Sequence, residues 1–409
     1  MATSPHHPAR LVVPLGLAQT LAWGSSFYLP AVLATPMARD LGLPAATVFA
    51  AFSVALVVSA LVGPAAGRAI DRHGGRPVLL ATNGLFALGL VALGAAQGPL
   101  SLFAAWALLG LAMGSGLYEA AFATLVRLQG HDARGSITGI TLIAGFASTV
   151  GWPLTALLET QFGWRGACYG WAALHLVLGL PLNALVPRAG PPAVGSPHAA
   201  ADAHPASAPQ AVPTPLQRPE RTALLLSFVF TVTYFSATAM ATHLPRVLQA
   251  SGATLAVAVG VGALIGPAQV AGRLLEFGVL RRVHPLLSAR LAALGHPVGA
   301  AALLLFGGAA AVPFALLHGA GNGILTIAKG TLPLALFGAA GYGARQGWLA
   351  LPARVAQAAA PFLFGLALDR WGARALWLSG ALGLVGFVAL LVLRARPAAA
   401  AEHSAPRSV

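Results

Sequence analysis

Twelve apolar runs follow one another along this chain, from Leu11 almost to Arg394, and they constrain its fold more than any other feature. A run of roughly 17–25 apolar residues forms a helix long enough to cross a hydrocarbon core of about 30 Å. The chain is 57% hydrophobic and 8% charged, whereas soluble globular proteins carry about 25% charged residues. The sequence therefore predicts an all-α integral membrane protein.

The predicted spans form two sets of six. The first set comprises residues 11–34, 45–66, 78–97, 100–126, 136–159 and 165–186. The second set comprises residues 222–248, 254–277, 286–307, 312–338, 348–368 and 375–394. Between them, residues 187–221 are rich in proline and alanine and lack a hydrophobic period, as is typical of a flexible linker. We therefore predict two six-helix bundles, 11–186 and 222–394, with cytoplasmic tails at 1–10 and 395–409.

The two halves resemble each other at an offset of about 203–211 residues. The segment VGPAAGRAID (62–71) matches IGPAQVAGRLLE (265–276), which aligns Gly67, Arg68 and Asp71 with Gly272, Arg273 and Glu276. ALLGLAMGSGL (107–117) and FGWR (162–165) match ALLHGAGNGIL (315–325) and WGAR (371–374). Two copies of a six-helix unit, related by an axis along the membrane normal, form an architecture used for alternating access.

The basic residues indicate the orientation in the membrane. A net charge of +14 would suggest a nucleic-acid partner in a soluble protein, but here the arginines lie at the ends of apolar runs, so we expect no nucleic acid. With both termini and the linker inside, most arginines of the loops lie on the inner side. The outer side keeps Arg39, Arg165, Arg246, Arg370 and Arg374. We therefore predict a multi-pass protein of a bacterial cytoplasmic (inner) membrane with both termini cytoplasmic.

The loop between the second and third spans reads GRAIDRHGGRP (67–77). Its pattern, Gly-x-x-x-Asp-Arg-x-Gly-Gly-Arg, resembles the signature loop of the major facilitator superfamily, and the twelve spans and duplicated halves agree with this resemblance. The resemblance covers essentially the whole chain. It implies two pseudo-symmetric six-helix bundles and a secondary transporter that moves a solute by rocking its two halves.

The resemblance also assigns the loop a role in gating. In the family this Asp caps the start of the eleventh helix and helps to latch the halves together on the cytoplasmic side. By that resemblance Asp71 lies near Gly347–Trp348, with Arg127 or Arg134 as candidate partners. An ordinary solvated loop is the alternative interpretation.

The glycines of the loop have a physical reason as well. Gly67 has no side chain and lets two helices approach closely, and Gly74 and Gly75 permit a tight turn with positive φ. The second copy lacks the double glycine, so a weaker latch is expected there. The predicted gating residues are Gly67, Arg68, Asp71, Arg72, Gly75, Arg76, Gly272, Arg273 and Glu276.

Two ionisable residues stand out in the spans that line the central cavity of this superfamily, namely the first, fourth, seventh and tenth. Glu119 is in the fourth span, and Lys329, the only lysine of the chain, is in the tenth. A charge at bilayer depth costs about 2.5–3.5 kcal/mol on insertion scales, so each needs a partner or water. At 1.5 Å per residue both lie roughly 6–9 Å to the cytoplasmic side of the midplane. We therefore predict that they approach each other when the cavity closes on one side.

Polar stripes on the same spans supply further candidates. His318, Asn322 and Lys329 share one face of the tenth span at helical spacing. The candidate binding and coupling residues are Glu119, Lys329, His318, Asn322, Gln19, Trp23 and Tyr234. Lys329 would attract an anionic or strongly polar solute, and Glu119 would be the coupling group. The alternatives are a fixed structural ion pair and a Lys329 side chain that reaches the interface.

Two arginines of the second half are predicted to have peripheral roles. Arg290 and Arg354 are predicted near cytoplasmic ends of their spans, where they would anchor the helix or pair with Glu276 or lipid phosphate. A drug/proton exchange mechanism is not favoured, because the fourth span lacks the arginine common in proton-coupled drug exporters, as judged by the family resemblance.

The sequence favours a transporter and not an enzyme. No Walker loop, zinc spacing or serine elbow is present, and we expect no cofactor and no metal. We predict a monomeric secondary transporter in the lipid bilayer for a small organic anion, with protons as a candidate coupling ion. Two alternatives stay open, an efflux carrier for a drug or toxic compound and a non-transporting sensor on the same fold.

Overall fold

The computed structural model describes residues 8–189 and 219–393. Within these ranges the regular structure is helical, and the helices correspond to the twelve predicted spans. The tails at 1–7 and 394–409 and the linker residues 190–218 lie outside the described residues. Residues 219–221 were predicted to belong to the linker, but they form the first turn of the seventh helix. Its first residue is Pro219, and proline is common at the first position of a helix.

The first half contains helices α1 to α6, several of them interrupted. They are α1 (Pro8–Gly24 and Pro30–Asp40), α2 (Ala45–His73), α3 (Gly75–Gly94) and α4 (Pro99–Gly116 and Tyr118–Gln129). Helix α5 comprises Ala133–Ala144 and the first part of Ala147–Leu174, and it ends at the non-helical Gly163 (φ 68°, ψ 172°). Helix α6 continues from there through a π-helical turn, His175–Gly179, to Leu180–Ala184.

The second half repeats this arrangement. It comprises α7 (Pro219–Ala250), α8 (Leu255–Gly262 and Ile265–Gly278), α9 (Pro285–Ala293 and Gly295–Phe306), α10 (Ala311–Phe337), α11 (Tyr342–Trp371) and α12 (Leu376–Val392). Six continuous apolar stretches in the described residues are long enough to cross a membrane. Three of them, Pro99–Ala184, Pro285–Phe337 and Tyr342–Val392, contain seven spans between them, so the six stretches account for ten of the twelve helices. The other two, α1 and α8, are interrupted and consist of shorter helical segments.

The internal repeat is visible in the backbone. Glycines with positive φ occur in pairs at equivalent turns, Gly42 with Gly252, Gly130 with Gly338, and Gly163 with Gly372. The members of each pair are 208 to 210 residues apart. The alignment of Gly67 with Gly272 has a shorter offset of 205 residues, so it is out of step by about one helical turn. The repeat predicted from sequence therefore holds, but these two glycines are not structural equivalents.

Three buried clusters explain how the halves fold and meet. The first half packs around residues such as Trp106 and Trp171, and the second around Phe314 and Phe364. A third cluster mixes the halves, since Ile70 and Phe122 lie in it with Leu334 and Tyr342. This third cluster lies at the end of the molecule that carries Asp71, which we call the Asp71 end. At this end the two halves are in contact.

The outer surface of the bundle is apolar. Large side chains such as Phe306, Phe362 and Trp377 are more than half exposed on the isolated chain. Exposed apolar area of this extent indicates a surface that is covered by something other than water. Together with the length of the helices, it is the surface expected of a multi-pass membrane protein.

Candidate functional site

A break in α4 positions Glu119. The helix is interrupted at Leu117 (φ −82°, ψ −165°), directly after the Gly-Ser-Gly sequence 114–116, and such residue pairs are common causes of helix kinks. Gln19 of α1 donates from Nε2 to the freed carbonyl of Gly116, at 2.7 Å. Glu119 consequently lies in the first turn of the segment Tyr118–Gln129. The partial positive charge of a helix N-terminus favours a carboxylate there.

Glu119 is paired across the two halves. Its Oε2 atom lies 2.5 Å from Nη2 of Arg354 in α11, and its Oε1 atom accepts a hydrogen bond of 2.8 Å from the Tyr234 hydroxyl in α7. The side chains of Glu119 and Arg354 are 12% and 5% exposed. An ion pair this deeply buried is stable only with close geometry and additional hydrogen bonds. Both conditions are met, because the carboxylate has a guanidinium on one oxygen and a phenol on the other.

Lys329 joins the same group through an aromatic ring. Its Nζ atom lies 3.5 Å from the centroid of the Tyr234 ring, a cation–π contact. Pro333, one turn later in α10, has no N–H to bond the Lys329 carbonyl. Gln346 of α11 donates to that carbonyl from Nε2 at 3.0 Å, and the Tyr342 hydroxyl donates to Gly330 at 2.7 Å. Helix α11 thus stabilises the weakened part of α10 that carries the lysine.

We call Glu119, Tyr234, Lys329 and Arg354 the central cluster. The cluster carries two formal positive charges and one negative charge, so it holds one positive charge in excess. On its first-half side Trp23 packs against Tyr118 with ring centroids 4.9 Å apart. The buried Nε1 of Trp23 has no hydrogen-bond partner among the described residues. The arrangement combines a cationic side from the second half with an aromatic side from the first.

A family model agrees with this architecture. The model of the Major Facilitator Superfamily matches residues 15–316, which is more than half of the chain. The chain belongs to the major facilitator superfamily. The protein is therefore a secondary transporter of this superfamily, and it is not an enzyme.

Solved structures of the major facilitator superfamily share the fold over nearly the whole chain. The human organic anion transporter MFSD10 (TETRAN) is 19% identical with a TM-score of 0.64, and the match covers 95% of this chain and 100% of that one. The fucose:proton symporter FucP of E. coli is 14% identical with a TM-score of 0.71, covering 93% and 97%. The proton:xylose symporter XylE is 14% identical with a TM-score of 0.70, covering 93% and 95%. At these identities the likeness shows the fold.

A curated relative matches part of the chain. An uncharacterized 38 kDa protein in the 23S RNA operon of Thermoproteus tenax is 32% identical over 156 residues. The match covers 38% of this chain and 40% of that protein. The chain therefore spans well under half of this relative's length in the alignment.

In this superfamily member Asp71 caps the N-terminus of α11. Its carboxylate oxygens accept hydrogen bonds from the backbone N–H groups of Gly343 and Ala344, each at 2.8 Å. Gly67, one turn before Asp71, packs against the Gly343 carbonyl, and a Cβ at Gly67 would collide with it. Arg127 donates from Nε to the main-chain oxygen of Asp71 at 3.2 Å. The contact lies about one turn before the expected Gly347–Trp348, because α11 begins earlier than predicted.

The other residues of the loop have different roles. Gly74 has a φ of 80° and makes the turn between α2 and α3. Gly75 is already helical, and a Cβ on it would collide with Thr124 of α4, so it is a position of close approach. Arg68 and Arg72 are exposed, and Arg76 is partly exposed. A positive φ was predicted at both Gly74 and Gly75. The structure confirms it at Gly74, and the prediction is wrong for Gly75, which already lies in α3.

A second latch joins α8 to α5 at the same end. Glu276 accepts from Arg134 Nη2 at 2.9 Å, and Arg134 also donates to the Val283 carbonyl at 2.8 Å. Arg273 donates to the Thr141 carbonyl at 3.2 Å. Gly272, by contrast, packs against Ala320 of α10 within its own half. The second copy of the motif therefore uses a buried side-chain ion pair where the first copy uses a helix cap.

The start of α9 lies beside this second latch. His284 is its N-cap residue, and its Nδ1 accepts from the backbone N–H of Leu286 at 3.1 Å. Partial burial, together with the charges of Arg134 and Arg290, lowers the pKa of His284. The neutral ring is the form that can accept this bond.

The structure brings together Glu119, Tyr234 and Lys329, with Trp23 nearby. Gln19 bonds to the carbonyl of Gly116, three residues before Glu119, and does not bond to the central cluster itself. His318 and Asn322 line a cavity inside the second half. The prediction that Lys329 is the partner of Glu119 differs from the structure, in which the guanidinium of Arg354 takes that place.

Arg354 is the functional residue that the sequence analysis missed. The eleventh span was predicted to begin at residue 348, but α11 begins at Tyr342, which places Arg354 about 18 Å along the helix. The predicted pairing of Arg354 with Glu276 is wrong, because Glu276 pairs with Arg134. Arg290 bonds to main-chain carbonyls at the end of α12, the nearest of them Leu393 at 2.7 Å. An arginine with apolar neighbours on both sides, LALPARVAQ, was the available signal.

Proposed function

We propose that the central cluster binds a small organic anion and that the protein carries it across the membrane by alternating access. The observation that carries this proposal is the buried Glu119–Arg354 pair between the halves, with the ammonium of Lys329 beside it. The excess positive charge of the cluster leaves a place for one anionic group. A carboxylate is a suitable group, since a guanidinium binds it through two parallel hydrogen bonds.

The pair offers a way to couple binding to movement. Removing one partner of a buried ion pair costs about 3–5 kcal/mol because the other charge is left uncompensated. A substrate carboxylate that replaces Glu119 at Arg354 keeps the guanidinium compensated while it breaks the contact between α4 and α11. The displaced Glu119 then needs the Lys329 ammonium or a proton to offset its charge. Binding of the anion would then loosen the contact that holds the halves together at the centre.

The aromatic side of the cluster suggests what the anion carries besides its charge. Trp23 and Tyr118 offer ring faces, and Trp23 Nε1 is a hydrogen-bond donor without a partner in the described part of the chain. A flat apolar or aromatic body with a hydrogen-bond acceptor fits these features. MFSD10, whose structure shares the fold, is named as an organic anion transporter.

Orientation and coupling complete the proposal. We propose that the Asp71 end lies in the cytoplasm, with both termini inside and the protein in a bacterial inner membrane; the positive-inside rule supports this orientation. With both latches closed at that end, the cavity would open outward. Glu119 is the proposed coupling group, and FucP and XylE are named as proton symporters. One chain contains the complete cluster, so a monomer suffices.

The proposal is tested by counterflow of radiolabelled benzoate and lactate in proteoliposomes. We expect exchange of at least one of the two, and a loss of roughly tenfold or more in Arg354→Gln and in Lys329→Ala, because each removes a charged hydrogen-bond donor from the site. Arg246→Gln is the matched control. It removes the same charge from an exposed pair with Asp369, and its exchange is expected to be unchanged.

Two results would count against the proposal. Equal counterflow in the wild type, Arg354→Gln and Lys329→Ala proteins would show that the cluster is not the binding site. Binding of benzoate or lactate to purified protein without flux in proteoliposomes would favour a sensor on the same fold.

A further inference from the structure

The second half contains a cavity of about 40 Å³ between α7, α9, α10 and α12. A smaller cavity of about 10 Å³ lies between the equivalent helices α1, α3, α4 and α6 of the first half. A cavity needs about 10–15 Å³ to hold one water molecule. The larger cavity therefore has room for two or three waters, and it is too small for a transported metabolite. The polar groups that line it are those of Thr233, Ser236, His296, His318 and Asn322.

Two histidines face each other in the larger cavity. His296 Nδ1 and His318 Nδ1 are 3.0 Å apart, so one donates a hydrogen bond to the other. We call this pair the histidine dyad. Phe314 stacks on His318 with ring planes 6° apart and holds the ring in place. The dyad joins α9 to α10 in the interior of the bundle.

Two buried polar atoms at this cavity have no partner among the described residues. They are His296 Nε2 and Ser236 Oγ, on residues that are 9% and 6% exposed. A buried polar group without a hydrogen bond costs about 1–3 kcal/mol. Water in the cavity would satisfy both atoms, since each is polar and the space is sufficient.

The dyad is not required by the repeat. Residues 82, 83 and 86 line the smaller cavity, and residues 292, 293 and 296, each 210 positions later, line the larger one. At this spacing His296 corresponds to Phe86, a buried apolar residue. The equivalent position of the first half holds an apolar side chain, so the repeat does not by itself account for an imidazole here.

The titratable groups around the cavity are few. Helix α7 contributes Thr233 and Ser236, α9 contributes His296, α10 contributes His318 and Asn322, and α12 contributes glycines. Among the residues that line the cavity, the two histidines are the ones with a basic ring nitrogen that can bind a proton. Lys329 lies about 16 Å further along α10.

We propose that the larger cavity is a hydrated proton-binding site and that the histidine dyad takes up one proton as a unit. In the neutral dyad one ring donates from Nδ1 and has a free lone pair on Nε2, while the other accepts at Nδ1 and has an N–H at Nε2. A proton that arrives from bulk solvent as hydronium through the cavity water forms an N–H bond at the free Nε2 and leaves neutral water behind, and the hydrogen bond between the rings is kept and strengthened by the charge. A second proton would have to occupy the accepting Nδ1 and would break that bond.

One consequence rests on the proposed transport of an anion. A proton on the dyad adds positive charge to the α10 stripe of His318, Asn322 and Lys329, which favours an anion at the central cluster. Across about 16 Å of protein interior the attraction strengthens anion binding about fivefold. The dyad would then link proton uptake to anion binding in the second half, separately from Glu119.

The proton stoichiometry of purified protein tests the site directly. We would titrate the wild-type protein and a His296→Gln/His318→Gln variant between about pH 8 and pH 4, a range that spans the ordinary pKa of histidine. The wild type is expected to take up one proton more than the variant. A difference of zero, or of two, would overturn the proposal. His175→Gln is the control, because both ring nitrogens of His175 already have partners, Ser25 and Asn83, and its uptake should equal that of the wild type.

A second measurement does not depend on how the variant folds. Nitrogen NMR of ¹⁵N-histidine-labelled wild-type protein in nanodiscs is expected to show a scalar coupling across the Nδ1–H···Nδ1 bond that persists at about pH 5. Its absence at both neutral and acid pH would rule out the dyad as a unit. Binding of benzoate and lactate at the two pH values separates the proposals. No binding of either benzoate or lactate in any protein counts against the proposed function, whereas normal binding of one of them with an unchanged pH dependence in the double variant counts against the dyad.

Discussion

At the scale of single residues, several contacts together stabilise the buried negative charge of Glu119. Glu119 lies at a helix N-terminus, accepts a phenol hydrogen bond and faces a guanidinium. Each of these stabilises the ionised carboxylate in a site where bare ionisation is costly. The sequence identified Glu119 and Lys329 as unusual because a charge in an apolar run is visible without a structure. Their partners were not visible, because Arg354 and Tyr234 are separated from Glu119 by more than a hundred residues.

Replacement of Glu119 by glutamine tests the exchange of anions at Arg354. Glu119→Gln removes the anion that competes with the substrate but keeps a hydrogen-bond acceptor for Tyr234. We expect benzoate to bind more tightly, by about tenfold, the factor that corresponds to 1.4 kcal/mol, while counterflow becomes slower. Isothermal titration and proteoliposome exchange measure the two effects. Weaker binding in this variant would show that Glu119 assists the substrate and does not compete with it.

At the scale of helices, glycine decides which elements can touch. Helices α2 and α11 approach so closely at Gly67 that an added methyl group would meet the Gly343 carbonyl. Gly84 of α3 has open space around its Cβ position. Two glycines in helices therefore have opposite consequences when they are replaced by alanine.

Alanine substitution at these two positions provides a matched pair. Gly67→Ala is expected to lower the free energy of unfolding by about 1–3 kcal/mol through overpacking, whereas Gly84→Ala is expected to raise it by up to about 1 kcal/mol through helix propensity. Thermal melting of the purified proteins measures both changes. A melting temperature for Gly67→Ala at or above that of Gly84→Ala would contradict the close contact between α2 and α11.

The helices were also the level at which the sequence was most informative. The length of the apolar runs alone predicted all twelve spans, because every helix that crosses the bilayer needs an apolar run long enough to span its hydrocarbon core. It failed at the start of α11, where the polar segment YGARQG (342–347) is helical beyond the apolar core. The breaks in α1 and α4 were not predicted either, since glycine and serine weaken a helix without showing where tertiary contacts interrupt it. The misplaced start of α11 is the reason that Arg354 was assigned to the wrong place.

At the scale of the whole molecule, the two halves are joined at the Asp71 end by two latches of different chemistry. Asp71 caps α11 through two backbone N–H groups, and Glu276 binds the side chain of Arg134. A conformation that opens at this end has to give up both. The balance between the two conformations of the transporter therefore depends on how strongly each latch holds.

Neutralisation of Asp71 is expected to shift that balance. In Asp71→Asn the amide presents one acceptor oxygen and loses the favourable interaction of its charge with the α11 N-terminus, a change of about 1 kcal/mol or a factor of about five. We expect a larger population open at the Asp71 end, measured as distances between spin labels on α2 and α11. Asp40→Asn, in the exposed pair with Arg165 inside the first half, should leave the distances unchanged. An unshifted distribution in Asp71→Asn would rule out the cap as a latch.

The interruption of α4 at Leu117 has a mechanical consequence. Beyond it, Tyr118–Gln129 is one uninterrupted helical segment of 12 residues, about 18 Å long. Glu119 is at one extremity, Thr124 touches Gly75 along its length, and Arg127 near the other extremity binds the Asp71 carbonyl. If this segment pivots at Leu117, a movement of the Glu119 carboxylate also moves the residues that contact the α2–α3 turn, because no flexible element lies between them. Substrate occupancy of the central cluster and closure at the Asp71 end would then be coupled through the rotation of one helical segment.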